Sequence, residues 1–293
     1  MQNIHFIINP ISGSGNYSID KELIVANFPK EEFNVTFKYT AYKNHAIALT
    51  QDSIDQKATI IVACGGDGTI NEVAGCLVNT SIVLGIIARG SGNGLASNLK
   101  ISKNIEKAIA VIKNQHILRI DVGKVNENYF FSNMGIGFDA EVISQYEKMP
   151  TRGLISYVKS SIKAFKSYKF SMYEYSLANE EFSIQPFLFF ISNSNEMGNN
   201  ITITPKASLQ DGLLDVIIVP KINKIRMLFF GLLLLIRKHY LLKEVTYKQL
   251  DSLVIKRNNT SNFNLQIDGE LYVMNNDTLK ISILKKSLAV IIP

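Results

Sequence analysis

The feature that most constrains this chain is the segment at residues 64–73, which reads CGGDGTINEV. A largely apolar run at residues 58–64 leads into it, and such a run predicts a parallel strand buried on both faces. A helical stretch follows at about residues 70–77. Glycine lets backbone N–H groups approach a ligand closely, and a helix N-terminus favours anions. The segment therefore predicts a strand, glycine loop and helix that together cradle phosphate groups.

This loop differs from two common phosphate-binding motifs. It has no Lys at the position that a P-loop requires, so it is not a Walker A motif. It also lacks the GxGxxG spacing of the usual dinucleotide fingerprint. A plain turn between a strand and a helix is the simpler interpretation, and the recurrence of similar loops elsewhere in the chain argues against it.

Composition sets the outer limits on fold and partners. The 293 residues suffice for two domains, and no apolar stretch approaches the ~20 residues of a membrane span. The N-terminus has no signal-peptide pattern, and two cysteines offer no disulfide framework or zinc spacing, so we expect a cytoplasmic protein. The net charge of +6 suits an anionic partner. A nucleic-acid role would depend on that charge alone, and we do not predict one.

Two more strands run into glycine loops. Residues 5–8 lead into NPISGSG at residues 9–15, and residues 82–88 lead into RGSGNG at residues 89–94. The carboxyl ends of parallel strands in an open α/β sheet form the crevice where ligands bind. Residues 1–126 are therefore predicted to form an α/β nucleotide-binding domain.

The pattern changes after residue 126, where strands dominate and many alternate with a period of two. This alternation is typical of an antiparallel sandwich. We expect residues 127–293 to form a mainly β sandwich domain. The predicted strands are residues 129–133, 170–176, 182–192, 213–219, 245–257, 263–267, 279–283 and 288–292.

These loops resemble the nucleotide-binding signature of the diacylglycerol kinase and sphingosine kinase superfamily, including its bacterial lipid kinases. The matching parts are GGDGT followed by NEV and, upstream, NPxSGxG. The chain departs from the diacylglycerol kinase pattern at Ala88, which replaces Pro, and at Gly94, which replaces an acidic residue. Its GSGN loop is closer to the sphingosine kinase and ceramide kinase form. The resemblance covers nearly the whole chain, whereas NAD kinases and phosphofructokinases share only the shorter GGDG core.

The resemblance implies ATP as the phosphoryl donor. It places the following residues at the nucleotide: Asn9, Pro10, Ser12, Gly13, Thr40, Gly65, Gly66, Asp67, Gly68, Thr69, Asn71, Glu72, Ser91 and Asn93. The charge of Asp67 near phosphates makes sense only with Mg²⁺ or a donor group between them.

Residues 205–215, PKASLQDGLLD, resemble a PxAxxxDGxLD segment of the same family. The resemblance implies a magnesium ion held by Asp211 and by backbone carbonyls around Ser208 and Leu213. Hard cations prefer such oxygen ligands. From the residues alone, an Asp-Gly turn before a strand is the simpler interpretation.

The segment Asp268-Gly269-Glu270 resembles the family's DGE, which supplies a general base. A lipid hydroxyl has a pKa far above 7, so an adjacent carboxylate must take its proton as the oxygen attacks the γ-phosphorus. We assign the base to Asp268 with Glu270 in support, although the match alone does not choose between them. A hairpin turn is the structural alternative.

Two segments, residues 153–169 and 221–243, are basic and amphipathic. Such helices either lie on an anionic membrane or cover a sheet, and different faces of one helix can do both. We predict a lipid substrate and a peripheral location at the inner face of an anionic membrane. A homodimer is compatible with the sequence.

The sequence therefore predicts an ATP-dependent lipid kinase, which transfers the γ-phosphoryl group of Mg-ATP to a hydroxyl of a diacylglycerol or a sphingoid base. One alternative is an NAD kinase-like enzyme with a soluble substrate, against which the NPxSGxG start, the GSGN loop and the basic helices argue. The other alternative is a non-catalytic protein that binds nucleotide or lipid on this fold.

Overall fold

The computed structural model of the chain describes residues 1–13, 21–90, 92–151, 153–177, 180–196, 202–257 and 262–293. The chain divides into two compact units. The N-terminal unit comprises Met1–Asp121 and Lys285–Pro293, and the C-terminal unit comprises Val122–Leu284. This division differs from a single boundary after residue 126, because the end of the chain returns to the N-terminal unit.

A parallel sheet forms the centre of the N-terminal unit. Its order is β2 (Phe33–Tyr39), β1 (Gln2–Ile8), β3 (Ile60–Gly65), β4 (Val83–Ala88) and the end of β16 (Thr278–Ile292). The helices are α1 (Lys21–Asn27), α2 (His45–Asp55), α3 (Asp67–Leu77), α4 (Gly94–Asn98) and α5 (Ile105–Asn114). Strand β3 is buried along its whole length, which explains why its sequence is a continuous apolar run.

Two antiparallel sheets form the C-terminal unit. The first has the order β12 (Thr246–Leu250), β11 (Leu214–Pro220), β10 (Pro186–Ser192), β7 (Asn133–Gly137), β14 (Phe263–Ile267) and β15 (Glu270–Met274). The second pairs the start of β16 with β13 (Ser252–Lys256), β8 (Tyr173–Leu177) and β9 (Glu180–Ile184). Strand β5 (His116–Val125) pairs with β16 and with β6 (Asn128–Phe130).

Alternate residues of the first sheet face two different cores. Phe189 of β10 and Val216 of β11 join Leu253 and Ile281 of the second sheet in one buried cluster. Phe190 and Ile217, the next residues along β10 and β11, belong to a separate cluster on the opposite face. This period of two makes the unit a sandwich with an additional layer. The predicted fold class, an α/β domain followed by a mainly β sandwich, is confirmed.

Helices supply that additional layer. The C-terminal unit contains α6 (Phe138–Glu147), α7 (Leu154–Ser167), α8 (Lys224–Leu235) and a short 3₁₀ helix, His239–Leu241. Met227 and Phe230 of α8 pack in the second cluster, with Phe165 of α7 beside them. One face of α8 thus covers the sheet. None of the helices in the described ranges has the length and hydropathy needed to cross a bilayer.

Candidate functional site

Hydrogen bonds connect the three glycine loops of the N-terminal unit at the carboxyl ends of β1, β3 and β4. Asn9, directly after β1, donates its backbone N–H to the Cys64 carbonyl at 2.9 Å and its side-chain amide to Thr69 Oγ1 at 3.1 Å. The Arg89 N–H, directly after β4, donates to the Gly65 carbonyl at 2.7 Å. The loops that the sequence predicted to converge therefore form one connected surface.

The second and third loops approach each other at glycines. A Cβ added to Gly66 would lie 3.3 Å from the Gly90 Cα, and one added to Gly90 would lie 2.8 Å from the Gly66 Cα. Gly66 is also the N-cap of α3, and because it has no side chain it makes no capping hydrogen bond to that helix. Gly68 and Thr69 stand in its first turn. Because a helix N-terminus attracts anions, this end of α3 is suited to phosphate.

The carboxylate of Asp67 is bonded to the third loop. Its Oδ2 accepts the Asn93 N–H and its Oδ1 accepts the Gly94 N–H, both at 2.8 Å. Asn93 is buried with φ 56°, and its side chain bonds both the N–H and the carbonyl of Gly90. Two backbone donors thus meet the charge of Asp67, and the pair Asp67 and Asn93 fixes the shape of the third loop.

Glu72 bonds to backbone as well. Its two carboxylate oxygens accept the N–H groups of Asn44 and Ala46, each at 3.1 Å, at the start of α2. A carboxylate at a helix N-terminus is stabilising because it satisfies donors that the helix leaves unpaired. The structure therefore gives Glu72 a capping contact between α3 and α2.

The remaining predicted nucleotide residues lie around these loops. Ser12 is half-buried after β1, and Pro10 and Gly13 are exposed. Thr40 follows β2 and donates its N–H to the Ile8 carbonyl at 2.9 Å, and Asn71 is half-buried on α3. Ser91 lies outside the described residues.

Arg89, the first residue of the third glycine loop, is a further candidate for contact with phosphate. Its guanidinium lies beside Gly13, where an added Cβ would be 3.5 Å from one of the guanidinium nitrogens. Gly13 itself has φ +94°, a conformation that favours glycine. The contact brings a permanent positive charge to the first loop.

The predicted metal ligands lie at the start of β11 in the C-terminal unit. Asp211 is exposed, and its Oδ1 accepts the Leu213 N–H at 3.0 Å. Ser208 Oγ accepts the Gln210 N–H at 3.3 Å. Nearby Asp215 is fully buried, and its Oδ2 has no hydrogen-bond partner among the residues that the structure describes. Burial raises the pKa of Asp215 to about 6, and the charge of Asp211 adds to the rise.

These oxygen donors suit Mg²⁺, because a hard cation prefers carboxylates and carbonyls and would offset two neighbouring acidic groups. Within the described ranges, no group of three or more His, Cys, Asp or Glu side chains could hold a metal. The predicted magnesium ligands are not such a cluster of side chains, because they combine one carboxylate with two backbone carbonyls.

Asp268 is held by the backbone of the segment before β7. Its Oδ2 accepts the Phe131 N–H at 2.8 Å, and its Oδ1 accepts the N–H groups of Ser132 and Asn133 at 2.8 and 2.9 Å. Its own N–H donates to the Asn133 carbonyl at 2.8 Å. Three donors therefore occupy lone pairs that a general base would need. Glu270 follows at the start of β15 and is half-buried.

A buried polar network supports the same turn. Gln266 Oε1 accepts the Gly269 N–H at 3.0 Å, and its amide nitrogen donates to Asn133 Oδ1 at 2.8 Å and to Asp139 Oδ2 at 3.3 Å. Asp139 is 6% exposed, its Oδ1 has no hydrogen-bond partner within the described ranges, and burial raises its pKa to about 7. The available sequence signal for this contact was Gly135, four residues before Asp139. A Cβ at Gly135 would collide with the Asp139 carboxyl.

Asp139→Asn should change how stability depends on pH. The folded-state pKa, about 7, lies above the ordinary value of 3.8 for an aspartate, so the native state holds a proton that the unfolded chain loses. Stability from this group is present at low pH and falls as pH rises towards 7. Because Asn cannot ionise, the variant should gain up to about 4 kcal/mol relative to wild type between pH 4 and pH 8.

Urea denaturation at several pH values measures this difference. Asp277→Asn, at an exposed position, is the matched control and should follow the wild-type curve. Parallel curves for Asp139→Asn and wild type would show that the Asp139 carboxyl is not held neutral in the folded protein.

Comparison with known proteins agrees with this geometry. Residues 3–125 match the diacylglycerol kinase catalytic domain, and residues 132–292 match the YegS C-terminal NAD kinase beta sandwich-like domain. The chain therefore belongs to the diacylglycerol kinase family, with a C-terminal domain of the YegS type. This family comprises enzymes, and the protein is a lipid kinase.

Individual relatives span most of the chain. It is 27% identical to a diacylglycerol kinase of Staphylococcus saprophyticus over 269 residues, which cover 90% of this chain and 87% of that protein. It is 26% identical to a diacylglycerol kinase of Bacillus subtilis, with 92% and 90% covered. A crystal structure of a diacylglycerol kinase from Bacillus anthracis superposes with a TM-score of 0.72 at 17% identity, with 100% and 97% covered. This structural likeness supports the fold.

Proposed function

We propose that the protein transfers the γ-phosphoryl group of Mg-ATP to a lipid hydroxyl, with diacylglycerol as the preferred acceptor and a sphingoid base as the second candidate. The observation that carries the proposal is the connected set of glycine loops at the carboxyl ends of β1, β3 and β4. The names of the relatives favour diacylglycerol.

The glycine loops would hold the nucleotide phosphates by backbone N–H groups. Gly66 and Gly68 leave room for phosphate at the start of α3, where the helix end favours negative charge. Asn9, Ser12 and Gly13 would border the same surface, and Arg89 would add a cation. Asp67, Asn93 and Glu72 contribute indirectly, because their side chains hold the loops in shape.

Asp211, with carbonyls near Ser208 and Leu213, would hold Mg²⁺ in the C-terminal unit. Bound there, the ion would supply positive charge beside Asp211 and Asp215. The Asp211 carboxylate is exposed, and its bond to the Leu213 N–H orients it at the start of β11.

Glu270 is the better candidate for the general base. The three backbone N–H groups that bond Asp268 give it the role of fixing the turn, and Gln266 holds Gly269 in the same turn. Glu270 comes next in the chain and would accept the proton of the lipid hydroxyl as the oxygen attacks phosphorus. We therefore propose Glu270 as base and Asp268 as its positioning residue, the reverse of the assignment from sequence.

A panel assay with radiolabelled ATP tests the function. The full chain should transfer label to dioctanoylglycerol, EDTA should abolish transfer, and Mg²⁺ should restore it. Sphingosine, ceramide and NAD serve as competing acceptors in parallel reactions. Transfer to NAD instead of lipid would indicate an NAD kinase-like enzyme. Absence of transfer to every acceptor, with ATP or lipid still bound, would indicate a non-catalytic binding protein.

We also propose that the protein works in the cytoplasm as a peripheral enzyme at the inner face of an anionic membrane. A kinase that acts on diacylglycerol must reach a lipid whose acyl chains lie in the bilayer. The net charge of +6 favours attraction to anionic headgroups.

A further inference from the structure

Helix α8 carries a second apolar face, which points away from the core. Met227 and Phe230 are 7% and 5% exposed and pack against the sheet. The opposite positions repeat at intervals of three and four residues, which places them on one stripe. The exposed members of this stripe, with exposures of 54–76%, are Ile225, Leu228, Phe229, Leu232, Leu235 and Ile236.

In the 3₁₀ helix that follows α8, Tyr240 and Leu241 are also exposed, at 56% and 64%. We call these eight residues the α8 face. A contiguous exposed apolar patch of this kind marks an interaction site, whereas scattered apolar residues do not. With 12 residues, α8 is too short to span a bilayer, which takes about 20.

Cations flank the α8 face at both ends. Lys221, Lys224 and Arg226 stand before helix α8 or in its first turn, Arg237 and Lys238 lie between the helix and the 3₁₀ helix, and Lys243 follows the 3₁₀ helix. Residues 221–243 contain no Asp or Glu. The ammonium groups of Lys221 and Lys224 lie 5.3 and 5.6 Å from the centres of the Phe170 and Phe165 rings, so the helix start is fixed to its own unit.

We propose that the α8 face inserts into the interface of an anionic bilayer, with the apolar stripe among the acyl chains and the flanking cations on lipid phosphates. This inference deepens the proposed function, because it assigns membrane contact to one helix. A helix that is packed on its own sheet, exposes an apolar face between basic flanks and is too short to span can lie in the plane of the interface. Electrostatic attraction brings the helix to the surface, and apolar burial retains it.

Charge favours a bilayer over a second copy of the chain. In a symmetric dimer the same patch of both copies would meet, which brings like cations together. Glu244, the next residue, pairs with Arg226 at 3.5 Å, whereas residues 221–243 supply no carboxylate to the other five cations. Anionic lipid supplies both an apolar phase and negative charge.

The test compares Leu228→Ser/Leu232→Ser with the control Ile117→Ser, which changes a 52% exposed residue of β5. Co-sedimentation with vesicles of phosphatidylcholine and phosphatidylglycerol measures binding. The double variant should bind about a hundredfold more weakly, roughly tenfold for each leucine, and the control should bind as wild type. Both variants should phosphorylate soluble dioctanoylglycerol at the wild-type rate. Unchanged vesicle binding by the double variant would overturn the proposal.

Depth is measured independently, because the chain has no tryptophan. Phe229→Trp should show a blue-shifted emission on anionic vesicles and quenching by lipids brominated in the acyl chain, and Ile117→Trp should show neither. Vesicle binding without a shift at position 229 would mean contact through charge alone and contradict insertion. A halved molar mass for the double variant in light scattering would identify the face as a dimer interface and also contradict it.

These readouts separate this inference from the proposed function. Insertion of Phe229→Trp by a protein that phosphorylates no lipid would leave the inference standing and refute the kinase proposal. Phosphorylation of dioctanoylglycerol by a protein whose α8 face stays in water would support the kinase proposal and refute membrane insertion by α8.

Discussion

Glu270→Gln should lower the rate of phosphoryl transfer by about a hundredfold to ten-thousandfold, the usual cost of removing a general base. The amide keeps the shape of the side chain but cannot take the proton of the lipid hydroxyl. Glu270 starts β15 and is half-buried, so the substitution should leave ATP binding and folding unchanged. Turnover of dioctanoylglycerol, with ATP affinity from calorimetry, measures both effects.

Asp268→Asn is the matched comparison, because it makes the same chemical change two residues earlier. Its carboxylate bonds three backbone N–H groups, so the amide would lose acceptors and leave buried donors unpaired. Each such loss costs about 1–3 kcal/mol, which urea denaturation would detect as lower stability. If Asp268→Asn instead kept full stability and lost transfer, while Glu270→Gln remained active, the base would be Asp268.

Local patterns predicted the elements that local residues determine. A strand buried on both faces reads as an apolar run, and a loop that receives phosphate needs glycine, so β3 and the loop after it were visible in the sequence. Residues 186–192 of β10 are likewise an apolar run within a predicted strand, and the structure buries them along their whole length because their two faces pack in different cores. Each of these signals lies within a few adjacent residues.

The partner of the last strand, β16, could not be predicted from local sequence. Residues 278–283 of β16 alternate between buried and less buried positions, whereas residues 287–291 are buried continuously. The second half pairs in parallel, with Val290 opposite Leu84 of β4. The change from alternation to a continuous apolar run was the available signal, but pattern alone does not name the partner strand.

The roles of the acidic residues depend on partners that are distant in sequence. Family resemblance identified Asp67, Glu72 and Asp268 as important, but all three carboxylates accept backbone N–H groups of other segments. Asp268 is separated from Phe131 by 137 positions. No local sequence pattern indicates such bonds. The sequence motifs therefore identified these residues but could not show which carboxylates are structural and which are catalytic.

Gly66→Val should weaken ATP binding by about tenfold to a hundredfold, since overpacking a close contact costs about 1–3 kcal/mol. Gly66 has φ −87° and ψ −173°, which a β-branched residue adopts without strain, so the fold should survive. The effect comes from space. Even a Cβ would lie 3.3 Å from the Gly90 Cα, and the valine methyl groups extend further towards the third loop and the start of α3.

Calorimetry with ATP, together with the rise in melting temperature that ATP causes, measures this loss. Gly231→Val is the matched control, because a Cβ at Gly231 in α8 meets no atom within 4 Å. The control should retain the ATP-induced shift, and Gly66→Val should lose most of it. Without nucleotide Gly66→Val should melt a few degrees below wild type, because the backbone at Gly90 must shift to admit the new Cβ. Wild-type ATP affinity in Gly66→Val would exclude this loop from the nucleotide site, because no phosphate could lie against Gly66 without meeting the new side chain.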